Sequence, residues 1–251
     1  MPEVELLLTG FTFNTDQGRL GLSTCVLIRG RQTILVDTGP MGRRELLVNA
    51  LRQRGLAPDG VQMVVLTHAH WDHTQNVDLF PRATFVIHPA ELDYARNPKP
   101  NDWATARYFV DTLRGKQVRE VTEGEELEPG VRVVETPGHT KGHISLVVET
   151  SRGRVAIAGD AIGDAYAALQ GKPYLIFWDE QLAMQSVQKI LAQTRTLYPG
   201  HDRPFRLNEG KIEYLGGDTG IRLFGNLGWP YGDAQVTLGA LVPPRQVIVV
   251  R

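Results

Sequence analysis

The same plan occurs twice along this chain of 251 residues. Each copy has an apolar strand that ends at an acidic residue, an amphipathic helix, and a second strand that ends at a histidine. The acidic residue and the histidine are Asp37 and His68 in the first copy, and Asp160 and His201 in the second. Two such units bury their apolar faces as two packed sheets with the helices outside, which brings the polar strand ends to one cleft. The duplication therefore predicts an α/β fold, an αββα sandwich of two mixed β-sheets with helices on the outer faces.

Short apolar runs that are rich in β-branched residues and bounded by Gly, Pro, Asp or Asn predict the strands. They are Val4–Leu8, Thr24–Ile28, Thr33–Val36, Met63–Leu66, Thr84–Ile87, Val118–Val121, Val131–Glu135, Ile144–Val148 and Val155–Ala158. One helix is predicted where Leu46, Leu47, Ala50 and Leu51 share a face, and a second over Glu180–Ala192. We predict a single domain over 1–251, with a C-terminal extension at about 211–251. Within it, Gln246–Val250 is expected to be a strand that is added to a sheet edge or to a partner subunit.

The densest group of polar residues reads THAHWDH, from Thr67 to His73. His68 and His70 are two residues apart at a strand end, so their side chains point the same way. Asp72 and His73 follow where the chain turns, and adjacent residues there can diverge towards a second ion. Imidazoles that cluster without a metal must each find hydrogen-bond partners or stay in water. The pattern therefore predicts a metal site.

Three further residues occupy matching positions at strand ends. His139 follows a Pro-Gly turn, and Asp160 and His201 each follow a glycine. With the first motif they make five imidazoles and two carboxylates, which is enough for two metal ions that keep open positions for water. We expect two divalent ions, Zn²⁺ first, with Mn²⁺ or Fe²⁺ as alternatives, because imidazole and carboxylate ligands suit all three.

These motifs, in the order ILVDTG, THAHWDH, TPGHTKGH, GDA and PGH, closely resemble those of the metallo-β-lactamase superfamily of binuclear hydrolases over about 33–201. The resemblance implies the same αββα fold and a complete ligand set. The first metal would take His68, His70 and His139, and the second would take Asp72, His73 and His201, with Asp160 bridging both. Two residues are expected to support these ligands: Asp37 would accept a hydrogen bond from a ligand imidazole, and His143 is the second histidine of TPGHTKGH.

The expected reaction is hydrolysis of an ester, lactone or related carbonyl compound by a hydroxide held between two metals. Asp72 and Asp160 are the expected catalytic carboxylates, and Asp160 would orient the hydroxide and relay its proton. The presence of Asp160 and the distance of Cys25 from every motif weigh against a true β-lactamase. The tail lacks the helical domain of glyoxalase II, which makes a thioester substrate a weaker alternative. Acyl-homoserine lactonases share the ligand set, but Gly163 replaces their tyrosine, and Tyr166 is a candidate substitute.

A phosphodiesterase or nuclease of the same superfamily is the main alternative, and a non-catalytic metal-binding module is a further one. The formal net charge of −1 favours a small-molecule substrate over nucleic acid. Aromatic residues in two long loops are expected to line the substrate pocket: Trp103, Tyr108, Tyr166, Phe177 and Trp178. His88 and Cys25 are expected to be structural.

Location and assembly are also predicted. One cysteine, an acidic N-terminus without a signal-peptide pattern and the absence of an 18-residue apolar run predict a cytoplasmic protein that does not enter a membrane. A homodimer that forms through the tail is a further hypothesis.

Overall fold

The computed structural model describes residues 1–14, 18–217 and 248–249. Its strands are β1 (Glu3–Leu8), β2 (Phe11–Asn14), β3 (Arg19–Leu22), β4 (Cys25–Arg29), β5 (Thr33–Val36), β6 (Met63–Val65), β7 (Thr84–Ile87), β8 (Gln117–Glu120), β9 (Glu126–Glu128), β10 (Val131–Glu135), β11 (Ile144–Thr150), β12 (Gly153–Gly159), β13 (Leu175–Ile176), β14 (Thr196–Pro199), β15 (Phe205–Asn208), β16 (Lys211–Tyr214) and β17 (Ile248–Val249). Its α-helices are α1 (Arg44–Arg52), α2 (Trp71–Thr74), α3 (Pro89–Arg96), α4 (Phe109–Thr112), α5 (Ala165–Gln170) and α6 (Glu180–Gln193). Short 3₁₀ turns cover Met41–Arg43, Pro58–Gly60, Val77–Leu79 and Asp160–Ile162.

Two large mixed sheets form the body of the molecule. The first has the order β1-β4-β5-β6-β7-β8, and the second has the order β16-β15-β14-β12-β11-β10-β9. In the first sheet β5 to β8 run parallel, while β1, β4 and β5 are antiparallel neighbours. In the second sheet the β12–β14 pair is parallel, and its other neighbours are antiparallel.

Alternation along the strands sends apolar side chains to both faces of each sheet. In β4 and β5, Leu27 and Leu35 pack in the cluster that also holds Leu47 and Leu51 of α1. Their neighbours in sequence, such as Ile34, join a second cluster shared with the other sheet. A third cluster joins the second sheet to α5 and α6. Three apolar layers between four structural layers make the αββα sandwich that the duplication predicts.

The predicted repeat is present in the backbone. β5 and β6 are parallel neighbours joined through α1, and β12 and β14 are parallel neighbours joined through α6. All nine predicted strands occur, with ends within two residues of those expected. Within α1, Leu47, Ala50 and Leu51 are buried as predicted, but Leu46 is 55% exposed. The helix turns only a narrow stripe towards the sheet, and Leu46 falls outside it.

Two pairs of short strands lie outside the main sheets. β2 and β3 form an antiparallel hairpin that the sequence did not reveal. β17 lies within the predicted strand Gln246–Val250 and pairs in parallel with β13, so this part of the tail returns to its own chain. The rest of the predicted extension beyond β16, apart from 215–217, lies outside the described residues. Among the described residues, no helix is long and apolar enough to cross a membrane.

Candidate metal centre

Seven side chains converge where strands of the two sheets end. His68 and His70 follow β6, and Asp72 and His73 lie in α2, which begins directly after His70. The second sheet supplies three more residues, one from each of three chain segments: His139 after β10, Asp160 after β12 and His201 after β14. The structure therefore brings together every residue that was predicted to bind metal.

His68, His70 and His139 form the first ligand group. One ligand atom from each lies within 4.8 Å of the others. His139 Nε2 is 3.0 Å from His70 Nδ1, so these two nitrogens point to the same place. All three histidines are buried.

Asp72, His73 and His201 form the second group, and one ligand atom from each again lies within 4.8 Å of the others. Asp160 lies between the two groups. Its Oδ1 is 3.4 Å from His73 Nε2, and its Oδ2 is 3.2 Å from His201 Nε2 and 3.4 Å from His139 Nε2. One carboxylate thus touches histidines of both groups, as the bridging prediction requires.

The donor set fits divalent metal ions. The inward-facing atoms His68 Nε2, His73 Nε2 and Asp160 Oδ1 are buried and have no hydrogen-bond partner within the protein. Leaving such an atom unsatisfied costs about 1–3 kcal/mol, because it has given up water without a replacement. All three atoms are good metal donors and lie close together, so bound cations would give each of them the partner that it lacks.

The outer nitrogens of four histidines are held by oxygen atoms. His73 Nδ1 is 2.7 Å from Asp37 Oδ2, and His139 Nδ1 is 2.7 Å from the Leu175 carbonyl. His68 Nδ1 is 3.0 Å from Thr67 Oγ1, and His201 Nδ1 is 3.2 Å from the Phe11 carbonyl. Such contacts fix the orientation of an imidazole and direct its other nitrogen into the site.

Asp37 and His143 lie directly behind the seven residues. Asp37 also accepts hydrogen bonds from the Thr67 amide (2.8 Å) and from the Thr67 hydroxyl. Its backbone adopts φ +57°, a left-handed conformation that costs free energy and is retained where the surroundings enforce it. His143 Nε2 accepts a hydrogen bond from the Asp160 amide at 3.0 Å, so it holds the backbone of that carboxylate. Asp37 and His143 thus contact a predicted ligand or its backbone, and their supporting roles stay predictions.

The pKa values of the histidines in the site are shifted in opposite directions. Burial opposes a positive charge on His201, but the Asp160 and Asp72 carboxylates outweigh it and raise the pKa of His201 to about 9. Burial lowers the pKa of His139 to about 4 and holds the pKa of His68 well below its ordinary value. Burial also opposes the charge on Asp160, but the surrounding imidazoles, first that of His201, hold the pKa of Asp160 well below its ordinary value. At neutral pH His68 and His139 are therefore neutral and Asp160 is charged, which are the forms that bind metal, whereas His201 holds a proton that a bound cation would displace.

A cleft opens above the seven residues and encloses about 730 Å³, including its mouth. Besides site residues, it is lined by Thr12, Arg19, Gly21, Trp71, Trp103, Ala104, Gly163, Asp164, Ala167, Tyr174 and Leu175. Trp103 is therefore in the predicted place. Tyr174, Arg19 and Thr12 were not predicted, because nothing in the local pattern of two short strands or of an aromatic loop shows which face meets the cleft.

The other predicted pocket residues do not line this cleft. Tyr108 is 58% exposed at the start of α4. Tyr166 does not line the cleft, whereas its neighbour on α5, Ala167, does. Trp178 lies in a separate groove, with Lys99 Nζ 4.8 Å and Lys141 Nζ 5.6 Å from its ring.

Phe177 is buried beneath the cleft, with its ring 4.7 Å from that of His70 and 5.5 Å from that of His139. Its ring packs against these two histidines, and Phe177 is not among the residues that line the cleft. His88 lies apart from the seven residues, where it caps α3 and contacts Glu135. Cys25 is fully buried in the core.

Fold and site together define a class of protein: an αββα sandwich with a cluster of histidines and aspartates, able to hold metal ions, where the strands of its two sheets end. The family model for the metallo-β-lactamase superfamily matches residues 18–201. The chain belongs to this superfamily of metal-dependent hydrolases.

Relatives and solved structures agree with this assignment. "Metallo-beta-lactamase domain-containing protein 1" of Xenopus laevis is 34% identical over 211 residues, which is 81% of each chain. An N-acyl homoserine lactonase of a Bacillus species is 27% identical over 168 residues, 64% of each chain. The crystal structure of Bacillus thuringiensis AiiA, a variant with N-decanoyl-L-homoserine at its active site, has a TM-score of 0.66 and 23% identity. That match covers 79% of this chain and 92% of AiiA, and it shows a shared fold.

Proposed function

We propose that this protein is a binuclear metal-dependent hydrolase that opens an ester or lactone bond in a small substrate with an apolar part. The observation that carries the proposal is the position of Asp160, which touches histidines of both ligand groups at the floor of an open cleft. The lactonase among the sequence relatives supports the choice of substrate bond.

Two divalent ions would be held by the residues already described, the first by the three-histidine group, the second by the group of Asp72, His73 and His201, with Asp160 shared. We propose zinc for both, since a set of imidazoles with few carboxylates and no thiolate suits it well. Manganese and iron are the alternatives. Ions in this place would supply an activated water at neutral pH and polarise the carbonyl oxygen of the substrate.

The protein's own groups then place the reactants. Asp160 is positioned by the His143 contact to its backbone amide, so its carboxylate is fixed at the floor of the cleft. This carboxylate lines the cleft, so it can accept a proton from the attacking water and pass it to the leaving oxygen. Asp72 also lines the cleft, and its Oδ2, 3.3 Å from His201 Nε2, places a negative charge beside that imidazole.

The cleft lining supports a carbonyl substrate over nucleic acid. Trp103, Ala104, Ala167 and Leu175 offer an apolar wall beside the metal centre. Arg19 is the only arginine or lysine among the described residues that line the cleft. A polynucleotide channel would be expected to carry a row of such residues for the phosphates.

The proposal is tested with zinc-loaded protein and four substrates: an N-acyl homoserine lactone, an aryl ester, a thioester and a phosphodiester. We expect cleavage of the lactone or the aryl ester, and loss of it when a chelator removes the metal. Cleavage of the phosphodiester alone would establish the nuclease alternative. No cleavage by protein shown to hold two ions would establish a metal-binding module.

Asp160→Ala and a matched aspartate variant complete this test. Asp160→Ala is expected to bind one ion in place of two and to lose most turnover. Asp93→Asn, at an exposed position paired with Lys141, should behave as the unmodified protein. Near-native turnover by Asp160→Ala with a verified metal content would refute the role of the shared carboxylate.

The remaining parts of the proposal concern location and assembly. We propose a cytoplasmic protein, following the single cysteine of the sequence, Cys25. A homodimer is a hypothesis that sedimentation or a sizing column would test.

A further inference from the structure

Asp102 is a buried carboxylate in the loop between α3 and α4, next to Trp103 of the cleft wall. Its Oδ1 accepts hydrogen bonds from the amides of Ala104 (2.9 Å) and Thr105 (3.0 Å). Its Oδ2 accepts from the Tyr94 hydroxyl and the Thr105 hydroxyl, both at 2.7 Å. Four donors hold this carboxylate in one place, which offsets the cost of burying its charge.

The same carboxylate faces His70 from outside the metal centre. Asp102 Oδ1 lies 3.5 Å from His70 Nε2, and that nitrogen is buried without a hydrogen bond. The other ring nitrogen, Nδ1, points into the centre, 3.0 Å from His139 Nε2. A neutral imidazole that offers Nδ1 to a metal carries its proton on Nε2, and a proton there needs an acceptor.

The other four histidines of the centre share one arrangement, in which an oxygen atom lies beside the outer ring nitrogen. Each of them turns Nε2 inward and has an oxygen atom 2.7–3.2 Å from its outer nitrogen. His70 is reversed, with Nδ1 inward, and Asp102 is the oxygen that stands at its outer side. The loop is also joined to this segment through the backbone, since the Trp71 amide donates to the Ala104 carbonyl at 2.9 Å.

We propose that Asp102 is a positioning residue that holds His70 with Nδ1 turned to the metal centre and Nε2 protonated. This inference rests on the proposed function, because it takes His70 to be a metal ligand. It extends that function to a loop outside every metal-binding motif. The residue that fixes the ligand and the residue that lines the cleft, Asp102 and Trp103, are neighbours in the chain.

The variant Asp102→Asn separates positioning from support of the loop. The asparagine oxygen can still accept from the Ala104 and Thr105 amides. Its amide group can donate to the hydroxyls of Tyr94 and Thr105, because a hydroxyl also accepts hydrogen bonds. The loop is therefore expected to survive, while His70 loses its charged acceptor. Asp111→Asn is the matched control, at an exposed aspartate of α4 paired with Arg114.

Two measurements test the proposal. Zinc affinity, obtained by competition with a chromophoric chelator, should fall about 10–100-fold in Asp102→Asn and stay within twofold in Asp111→Asn. Long-range ¹H–¹⁵N spectra of metal-free protein, at a mildly alkaline pH where free imidazoles are neutral, should show His70 protonated on Nε2. In Asp102→Asn the oxygen that faces Nε2 is an uncharged and weaker acceptor, so the share of the Nε2-protonated tautomer should fall measurably, with the signal of His139 unchanged.

The possible results are distinguishable. Unchanged zinc affinity together with an unchanged His70 tautomer in Asp102→Asn would overturn the positioning role. A fall in zinc affinity without any change at His70 would also overturn it, and would assign Asp102 to the loop alone. If the unmodified protein binds no zinc, the proposed function fails, and the tautomer measurement still decides the contact between Asp102 and His70.

Discussion

Gly200 places a strict steric limit beside the shared carboxylate, and Gly200→Ala tests it. A methyl group at this position would lie 2.1 Å from Asp160 Oδ1. It would also lie 2.9 Å from the backbone carbon and oxygen of Gly159, at the end of β12. Real Cβ atoms essentially never approach another heavy atom within 3.0 Å, so something must move.

The geometry gives the size of the expected effect. To regain ordinary contact, the Asp160 carboxylate must move by about 1 Å, since the strand end behind it cannot give way as a side chain can. Misplacement of a reacting group by 1 Å can cost about 100-fold in rate. We therefore expect kcat/KM of Gly200→Ala to fall about 100-fold, with a loss of about 1–3 kcal/mol in the free energy of unfolding from overpacking.

The assay measures lactone or ester hydrolysis by zinc-loaded protein, together with zinc stoichiometry and urea unfolding. Gly42→Ala is the control, because a methyl group there meets nothing within 4 Å. The control should match the unmodified protein in all three measurements. If Gly200→Ala keeps kcat/KM within twofold and binds two ions normally, Asp160 does not need the position seen here, and the reasoning is refuted.

Four other outcomes are expected. Asp37→Asn removes the charged partner of His73 Nδ1, so its zinc affinity, measured by chelator competition, should fall about 10–100-fold; unchanged affinity would contradict this role. Trp103→Ala removes an exposed apolar surface from the cleft, so KM for long-chain acyl lactones should rise about tenfold with kcat nearly unchanged. An equal rise in KM for short-chain lactones would contradict a contact between Trp103 and the acyl chain. Burial raises the pKa of Cys25 to about 12, so mass spectrometry should find it unmodified by iodoacetamide until urea unfolds the protein; rapid labelling of folded protein would show that the strand opens. Chelation should abolish hydrolysis while the far-ultraviolet circular dichroism persists, because the three apolar layers contain none of the proposed ligands. Added zinc should restore activity. Unfolding of the protein on chelation would instead indicate a structural metal.

The ligands could be predicted because their signal is local. Three histidines and an aspartate within Thr67–His73 are improbable without a metal, and each distant ligand follows a glycine at a strand end. The apolar strands could be predicted for a related reason, since burial on both faces leaves continuous runs such as Thr33–Val36. The ligand motifs and the apolar strands each consist of residues that are adjacent along the chain.

The cleft could not be predicted in the same way, because its lining is decided by contacts between distant segments. The β2–β3 hairpin is two short strands, and its place over the centre depends on contacts such as that of His201 Nδ1 with the Phe11 carbonyl. Among the loop aromatics, Tyr174 meets the cleft and Tyr166 does not. Both lie in one predicted aromatic loop, but the structure places Tyr166 on α5 and Tyr174 after that helix.

The two copies of the repeat contribute unequally to the centre, and Asp160 is the residue that contacts histidines from both halves. The first copy supplies four of the proposed ligands from one continuous segment, so the short backbone between them sets their spacing. The second half supplies three ligands from three separate strand ends, so their geometry depends on the second sheet and on its packing against the first. Asp160 lies within 3.4 Å of His73 from the first half and of His139 and His201 from the second.

Glu91 joins the same two halves behind the centre. Its Oε1 accepts a hydrogen bond from the Ala69 amide, between His68 and His70, at 2.9 Å. Its Oε2 accepts one from the Gly142 amide, three residues after His139, at 2.8 Å. One fully buried carboxylate therefore fixes the spacing of the two ligand loops, and Asp160 is the ligand at which that spacing matters, because it must reach both groups at once. A centre shared between two halves of a repeat depends in this way on carboxylates that contact both halves, one within the ligand set and one behind it.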